Sequence, residues 1–200
     1  MNETTWLIAD VIRALAAAGA ATVPGILGDE ARCRLVEEAR AFPFIAAPAV
    51  VGPYGVRQRY AAVTSFPPGS AFQTLQEAFQ ALLDERLARL PAYPFATPLR
   101  FDGSALHRYP PGRLGISPHR DSARSVNLIA VFVLEGQGRF FICRDRDGRD
   151  AVDLPNAPGD LILLRAPGLM MGADIRPFHG VADIAEQRTT FALRQQRIGP

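Results

Sequence analysis

Three histidines stand in 200 residues, at positions 107, 119 and 179. His119-Arg120-Asp121 is an H-x-D triplet, and His179 follows 60 residues later in a separate apolar run. Two imidazoles and one carboxylate can grip a divalent metal from one side and leave the other side open. Oxygen chemistry at Fe(II) needs those open positions. If the triplet ends a strand, residues two apart point to the same face, and both side chains reach one metal. The triplet alone is weak, because composition produces such a pair in roughly one of every five sequences like this one. Its bland alternative is a surface turn with an ion pair.

A second group follows the distal histidine. The segment Arg188-Thr189-Thr190-Phe191-Ala192-Leu193-Arg194 begins nine residues after His179. In a strand, positions 188, 190, 192 and 194 share a face. Two guanidiniums turned inward need an anion, since an unpaired buried charge is costly. A dicarboxylate would satisfy both. The alternation equally allows an exposed edge strand with Phe191 and Leu193 on the core side. Beside the triad, the ligand reading is preferred.

The remaining charge is less specific. All 22 basic residues are arginine, against 20 acidic ones, for a net charge of +2. A GC-rich coding sequence accounts for the arginine bias, and so small a net charge leaves no strong electrostatic footprint. The absence of lysine excludes Schiff-base chemistry and a P-loop lysine. Cys33 and Cys143 are too few for a disulfide framework or a cysteine zinc site. Both read as small buried hydrophobes, which fits a reducing, cytoplasmic setting. No run approaches a membrane span, and Asp10 and Arg13 interrupt the Ala-rich opening, so no secretory signal is expected.

The elements that must position these residues divide at about residue 98. Upstream, residues 5–18 read as a helix ending near Gly19, and residues 30–42 as a second with Asp29 as N-cap and Leu35, Val36 and Ala39 on one face. Residues 50–65 read as a hairpin or irregular strand pair. After the Pro67-Pro68-Gly69 break, Ser70 and Gln73 form a capping box. They open an amphipathic helix of Phe72, Leu75, Phe79, Leu82, Leu83 and Leu87 that ends before Pro91. Downstream, short apolar runs at 106–109, 126–134, 140–143, 161–164, 178–181 and 189–194 alternate with Gly-, Pro- and Asp-rich turns. Such spacing predicts an antiparallel sandwich or barrel. One domain is expected, with 1–97 as helical support and possible lid and 98–200 as the core.

With these residues in place, the sequence resembles the Fe(II)- and 2-oxoglutarate-dependent oxygenases, and among them the AlkB-like branch. The likeness runs from about His107 to Arg194. His107-Arg108-Tyr109-Pro110-Pro111-Gly112 leading to His119-Arg120-Asp121 resembles the family's N-x-Y-x-x-G run into H-x-D. Pro158-Gly159-Asp160 and the Leu161-Ile162-Leu163-Leu164 run resemble the turn and strand before the distal histidine. Arg188, Thr190 and Arg194 fall at the R, N and final R of R-x-N-x-T-F-R. Upstream, Val23-Pro24-Gly25-Ile26-Leu27-Gly28-Asp29-Glu30 resembles a common opening of such enzymes.

The resemblance implies an α+β, mainly β fold, a double-stranded β-helix (jelly roll) with N-terminal helices packed on one sheet. It implies Fe(II), 2-oxoglutarate and O₂, with His119, Asp121 and His179 as the metal ligands and catalytic centre. Arg188 and Tyr109 would hold the distal carboxylate of 2-oxoglutarate, and Arg194 would sit near the carboxylate that chelates the metal. His107 and Thr190 stand where the pattern has Asn, and either can still donate a hydrogen bond.

Substrate is less legible. AlkB-like repair enzymes follow H-x-D with acidic residues that read a flipped base, whereas Ser122, Ala123 and Arg124 follow here. They also stack the base on aromatic residues of an N-terminal lid, but the only tryptophan is Trp6, far upstream. Tyr54, Tyr60, Arg57 and Arg59 could serve a lid, yet a hairpin with a solvated face is the simpler reading. A small-molecule substrate is therefore favoured over nucleic acid, with no membrane and no obligate protein partner. The alternatives are a nucleic-acid dealkylase, a non-catalytic jelly-roll binding module, and a cupin-like metal lyase. The lyase would have no need of Arg188 and Arg194.

Overall fold

Hydrophobic spacing sets the helices. The structure, a computed structural model, describes residues 7–170 and 176–197; Trp6 and the expected helix start at residue 5 lie outside them. Helix α1 (Ile8–Ala18) buries Ile8, Val11, Ile12 and Leu15 along one side and ends where Gly19 turns left-handed at φ 78°. Helix α2 (Asp29–Arg40) buries Leu35, Val36 and Ala39. Its N-cap is Gly28, not the expected Asp29, which lies inside the first turn and pairs with Arg32 at 3.1 Å. A carboxylate there still favours the positive end of the helix. Cys33 is exposed, against expectation. It stands two positions from Leu35, more than half a turn round the helix. Helix α3 (Ala71–Ala88) starts at Ser70, whose Oγ accepts the Gln73 N–H at 3.2 Å. The Gln73 side chain reaches back to the Gly69 N–H at 3.0 Å, one residue beyond the usual capping box.

The strands, in chain order, are β1 (Ala20–Val23), β2 (Ile45–Ala46), β3 (Val50–Val51), β4 (Val56–Arg57), β5 (Ala61–Val63), β6 (Gly103–Tyr109), β7 (Gly112–His119), β8 (Ser125–Glu135), β9 (Arg139–Cys143), β10 (Val152–Leu154), β11 (Leu161–Arg165), β12 (Phe178–Ile184) and β13 (Arg188–Gln196). Seven form one antiparallel sheet in the order β1-β11-β8-β13-β6-β5-β2, and four form a second in the order β10-β9-β12-β7. Strands β3 and β4 make a separate hairpin. The result is a jelly roll with helices against its larger sheet. The N-terminal 97 residues are more than helical support, because β1, β2 and β5 belong to the larger sheet.

Period-two alternation divides the larger sheet between two apolar layers. Leu128, Ala130, Phe132 and Leu134 of β8 join Phe72, Phe79 and Leu83 of α3 on the helix side. Ile129, Val131 and Val133 face the other sheet and meet Phe140 and Val181. Two stretches singled out in the sequence also meet: the Gly25 N–H donates to Asp160 Oδ1 at 2.9 Å, and the Leu27 N–H to the Gly159 carbonyl at 3.0 Å. Among the described residues no helix is long and apolar enough to cross a membrane.

Candidate metal centre

Strand pairing, more than sequence proximity, assembles the site. Strands β7 and β12 run antiparallel with His179 directly opposite His119. The two rings lie 4.4 Å apart between centroids. Asp121, two residues past the end of β7, turns to the same side. The candidate ligand atoms of His119, Asp121 and His179 all lie within 4.8 Å of one another. Between the two strands the register slips twice, at His179/Val181 and Val181/Ala182. Such bulges are common beside active sites because they re-aim a side chain.

The second ring nitrogens fix the histidines. His119 Nδ1 lies 3.0 Å from the Ser117 carbonyl, and His179 Nδ1 lies 3.5 Å from the Pro177 carbonyl. A carbonyl accepts from a protonated Nδ1, which leaves Nε2 of each ring with its lone pair toward the centre. Burial lowers the His179 pKa to about 4, with His119 adding to the effect, so the imidazole is neutral and ready to ligate at neutral pH. Burial alone would raise the Asp121 pKa, but Arg194 and the two histidines reverse this and hold the carboxyl ionised. Arg194 Nη2 donates to Asp121 Oδ1 at 3.3 Å. Asp121 Oδ2, 3.7 Å from His179 Nε2, is buried and accepts no hydrogen bond among the described residues.

The centre opens into a cavity of about 730 Å³ between the two sheets, within the range of small-ligand pockets. The alternation in β13 resolves in favour of the inward arginines. Arg188, Thr190, Ala192 and Arg194 line the cavity, while Phe191 and Leu193 pack on the helix side. Arg188 is fully buried. Its Nη1 makes one long bond to the Asn156 carbonyl at 3.4 Å, and its Nε and Nη2 have no partner among the described residues. Burial lowers its pKa to about 10, and Tyr109 partly offsets that, so the guanidinium stays charged at neutral pH. Tyr109 and His107, from β6, line the same cavity beside β13. Burial raises the Tyr109 pKa, and Tyr60 adds to this. Burial lowers the His107 pKa to about 3, with Arg194 adding to this, which keeps its ring neutral.

The expected site residues thus converge: His107, Tyr109, His119, Asp121, His179, Arg188, Thr190 and Arg194 all border one cavity. The hairpin expected within residues 50–65 forms as β3–β4 with Tyr54, Arg57 and Arg59 exposed, and Tyr54 and the half-buried Tyr60 also border the cavity. The reason is how the segment docks: the Arg59 N–H donates to the Gly115 carbonyl at 2.7 Å and the Arg57 N–H to Ser117 Oγ at 3.0 Å, which lays it along β7. Arg59 itself turns to the Pro111 carbonyl. Sequence reasoning missed Arg120, Arg146 and Arg176 on the cavity wall. Arg146 sits in the charged turn Arg144-Asp145-Arg146-Asp147-Gly148-Arg149-Asp150, which reads as solvated.

No protein-family model matches the sequence, and no curated protein sequence is similar to it. Solved structures are similar in fold. A prolyl-4-hydroxylase from Pseudomonas putida superimposes with a TM-score of 0.69 at 18% identity, over 95% of this chain and 99% of that one. A prolyl hydroxylase from Trichoplax adhaerens, solved with a hypoxia inducible factor peptide fragment, gives 0.69 at 15% identity over 98% and 94%. The non-heme alpha-ketoglutarate-dependent epimerase SnoN of nogalamycin biosynthesis gives 0.66 at 16% identity over 94% and 82%. The chain therefore has the jelly-roll fold of these oxygenases along nearly its whole length.

Proposed function

We propose that the chain is an Fe(II)- and 2-oxoglutarate-dependent dioxygenase that hydroxylates or oxidatively demethylates a small substrate. The observation that carries this reading is Arg188. A buried, charged guanidinium with two unpartnered nitrogens borders the same cavity as a His-Asp-His cluster. An apolar residue would serve a bare fold better, so the pair of features asks for a metal and an anion together. A lyase or a plain binding module needs no such arginine.

The donor set fits both groups. His119 and His179 present Nε2, Asp121 has Oδ2 to give, and an intermediate-to-hard nitrogen and oxygen set of this kind suits Fe(II). Arg188 would hold the distal carboxylate of 2-oxoglutarate with help from the Tyr109 hydroxyl, while Thr190 and His107 flank it. Arg194 would serve twice, orienting Asp121 and balancing charge near the metal-binding carboxylate. When bound, iron with 2-oxoglutarate and O₂ supplies the oxidising chemistry. The chain's own share is to hold, orient and keep water out. Val131, Phe140, Leu164 and Val181 give the cavity an apolar lining beside the centre.

The AlkB-like assignment rests on the Arg188, Thr190 and Arg194 spacing. Dealkylation of a nucleic-acid base is the second reading, and the placement of Tyr54 and Tyr60 on the cavity wall favours it, since a flipped base needs a stacking surface. The deciding experiment is succinate release from 2-oxoglutarate with Fe(II), ascorbate and air, run without substrate and then with metabolite pools and methylated oligonucleotides. Turnover that vanishes in His119→Ala and His179→Ala is expected. Failure to bind both Fe(II) and 2-oxoglutarate would refute the proposal, and stimulation confined to oligonucleotides would select the second reading.

A further inference from the structure

The cavity wall carries five arginines, at 120, 146, 176, 188 and 194, and Asp121 is its one carboxylate among the described residues. In the dioxygenase reading, Asp121 and Arg194 serve the metal, and Arg188 serves the co-substrate. At the exposed mouth, Arg120 and Arg146 are left with positive charge that neither group neutralises.

Two of the mouth arginines are held in place without being neutralised. The Arg120 guanidinium lies 4.3 Å from the centroid of Phe178. The Arg146 guanidinium lies 3.9 Å from that of Tyr54 and 5.2 Å from that of Phe178. Aromatic faces orient a cation but leave its hydrogen-bond donors available. Neither arginine has a carboxylate within ion-pair reach among the described residues. The turn around Arg146 sharpens the contrast. Arg144 pairs with Asp150 at 3.0 Å, and Arg149 reaches Asp145 and Asp147 at 3.6 Å. Every carboxylate of that turn is engaged, and the arginine left over is the one on the cavity wall. Arg120 lies between His119 and Asp121 in sequence, and Phe178, the ring near both arginines, precedes His179.

We propose that the substrate is a small molecule bearing a carboxylate or a phosphate, and that Arg120 and Arg146 receive that group at the cavity mouth. The proposal rests on the dioxygenase reading and adds its substrate class. Guanidiniums take either anion by paired N–H donors.

The test uses the chain loaded with Mn(II) in place of iron and saturated with 2-oxoglutarate. Inorganic phosphate, acetate and uncharged acetamide are the probes. Paramagnetic relaxation of the phosphate ³¹P and the acetate and acetamide methyl signals reads binding close to the metal. Saturable relaxation of phosphate, or of acetate above acetamide, is expected, and the anion with the lower half-saturating concentration names the group. The exposed double variant R120Q/R146Q should weaken that binding about tenfold or more. Acetate no better than acetamide with no saturable effect on phosphate, or no change in the double variant, would overturn the proposal. Mn(II) that stays free by electron paramagnetic resonance would instead remove the dioxygenase reading, and the proposal with it.

Discussion

Arg188 is held by one long hydrogen bond and surrounded by cavity wall, and that imbalance predicts opposite effects on fold and on ligand. Replacing a poorly compensated buried charge with an apolar side chain of similar length is neutral or stabilising. Arg188→Met should therefore leave the Tm of the ligand-free protein unchanged or raise it, while 2-oxoglutarate affinity falls about a hundredfold or more. Thermal unfolding and calorimetric titration of one sample read both; a large drop in Tm would make Arg188 a structural residue. His107 predicts an acid response. Its folded pKa is about 3 against an ordinary 6.5. Between those values the unfolded chain takes up a proton that the folded chain refuses, so stability is present above pH 6.5 and is lost as pH falls toward 3. In metal-free protein His107→Asn should make the loss of Tm between pH 7 and 4.5 shallower, each kcal/mol recovered appearing as about 2–4 °C. His179, lowered to about 4, keeps part of the slope in the same direction.

At the scale of elements, what the sequence revealed and what it hid have one cause, the regularity of the pattern. Helix α3 and strands β8, β11 and β13 show clean spacing and lie close to where they were expected. Strand β7 ends at His119, as the same-face argument for H-x-D requires, but it gives no apolar run of its own, because Gly112, Gly115 and Pro118 interrupt it and its register against β12 slips twice. Periodicity cannot register a strand whose pairing partner supplies the order. Short β10 escaped because three largely exposed residues are too few for a pattern, and Asp29 and Cys33 were misjudged by a turn or less of helix. Gly115 exposes this dependence to measurement. A Cβ there would stand 2.9 Å from both Val181 Cγ1 and the Val181 carbonyl oxygen, inside the pairing that sets His119 opposite His179. Gly115→Ala should cost about 1–3 kcal/mol and weaken metal binding, seen by chemical denaturation and by Mn(II) titration. Undiminished metal affinity would mean that the histidines are aligned by something other than the β7–β12 register.

For the whole molecule, the larger sheet separates stability from chemistry. One face of β13 carries Arg188, Thr190 and Arg194 to the cavity, and the other packs Phe191 against Phe66, Phe72 and Phe132 at centroid distances of 5.5, 4.9 and 6.5 Å. Phe191→Ala should lower stability by about 3–5 kcal/mol yet preserve 2-oxoglutarate binding below its melting temperature. Loss of binding in the folded variant would show that the two faces are coupled. The site's main wall and the protein's main core are thus opposite sides of one strand.

That strand also has a history within each molecule. Strand β13 lies between β8 and β6, both of which precede it in the chain. During synthesis the ribosome delivers β6 and β8 first, so the nascent sheet has a gap one strand wide with two open edges facing it. Open edges invite pairing with other chains, and the arginines that complete the cavity are still unmade. Exposed edges and an incomplete cavity therefore coincide, and the insertion of β13 between β8 and β6 ends both conditions together.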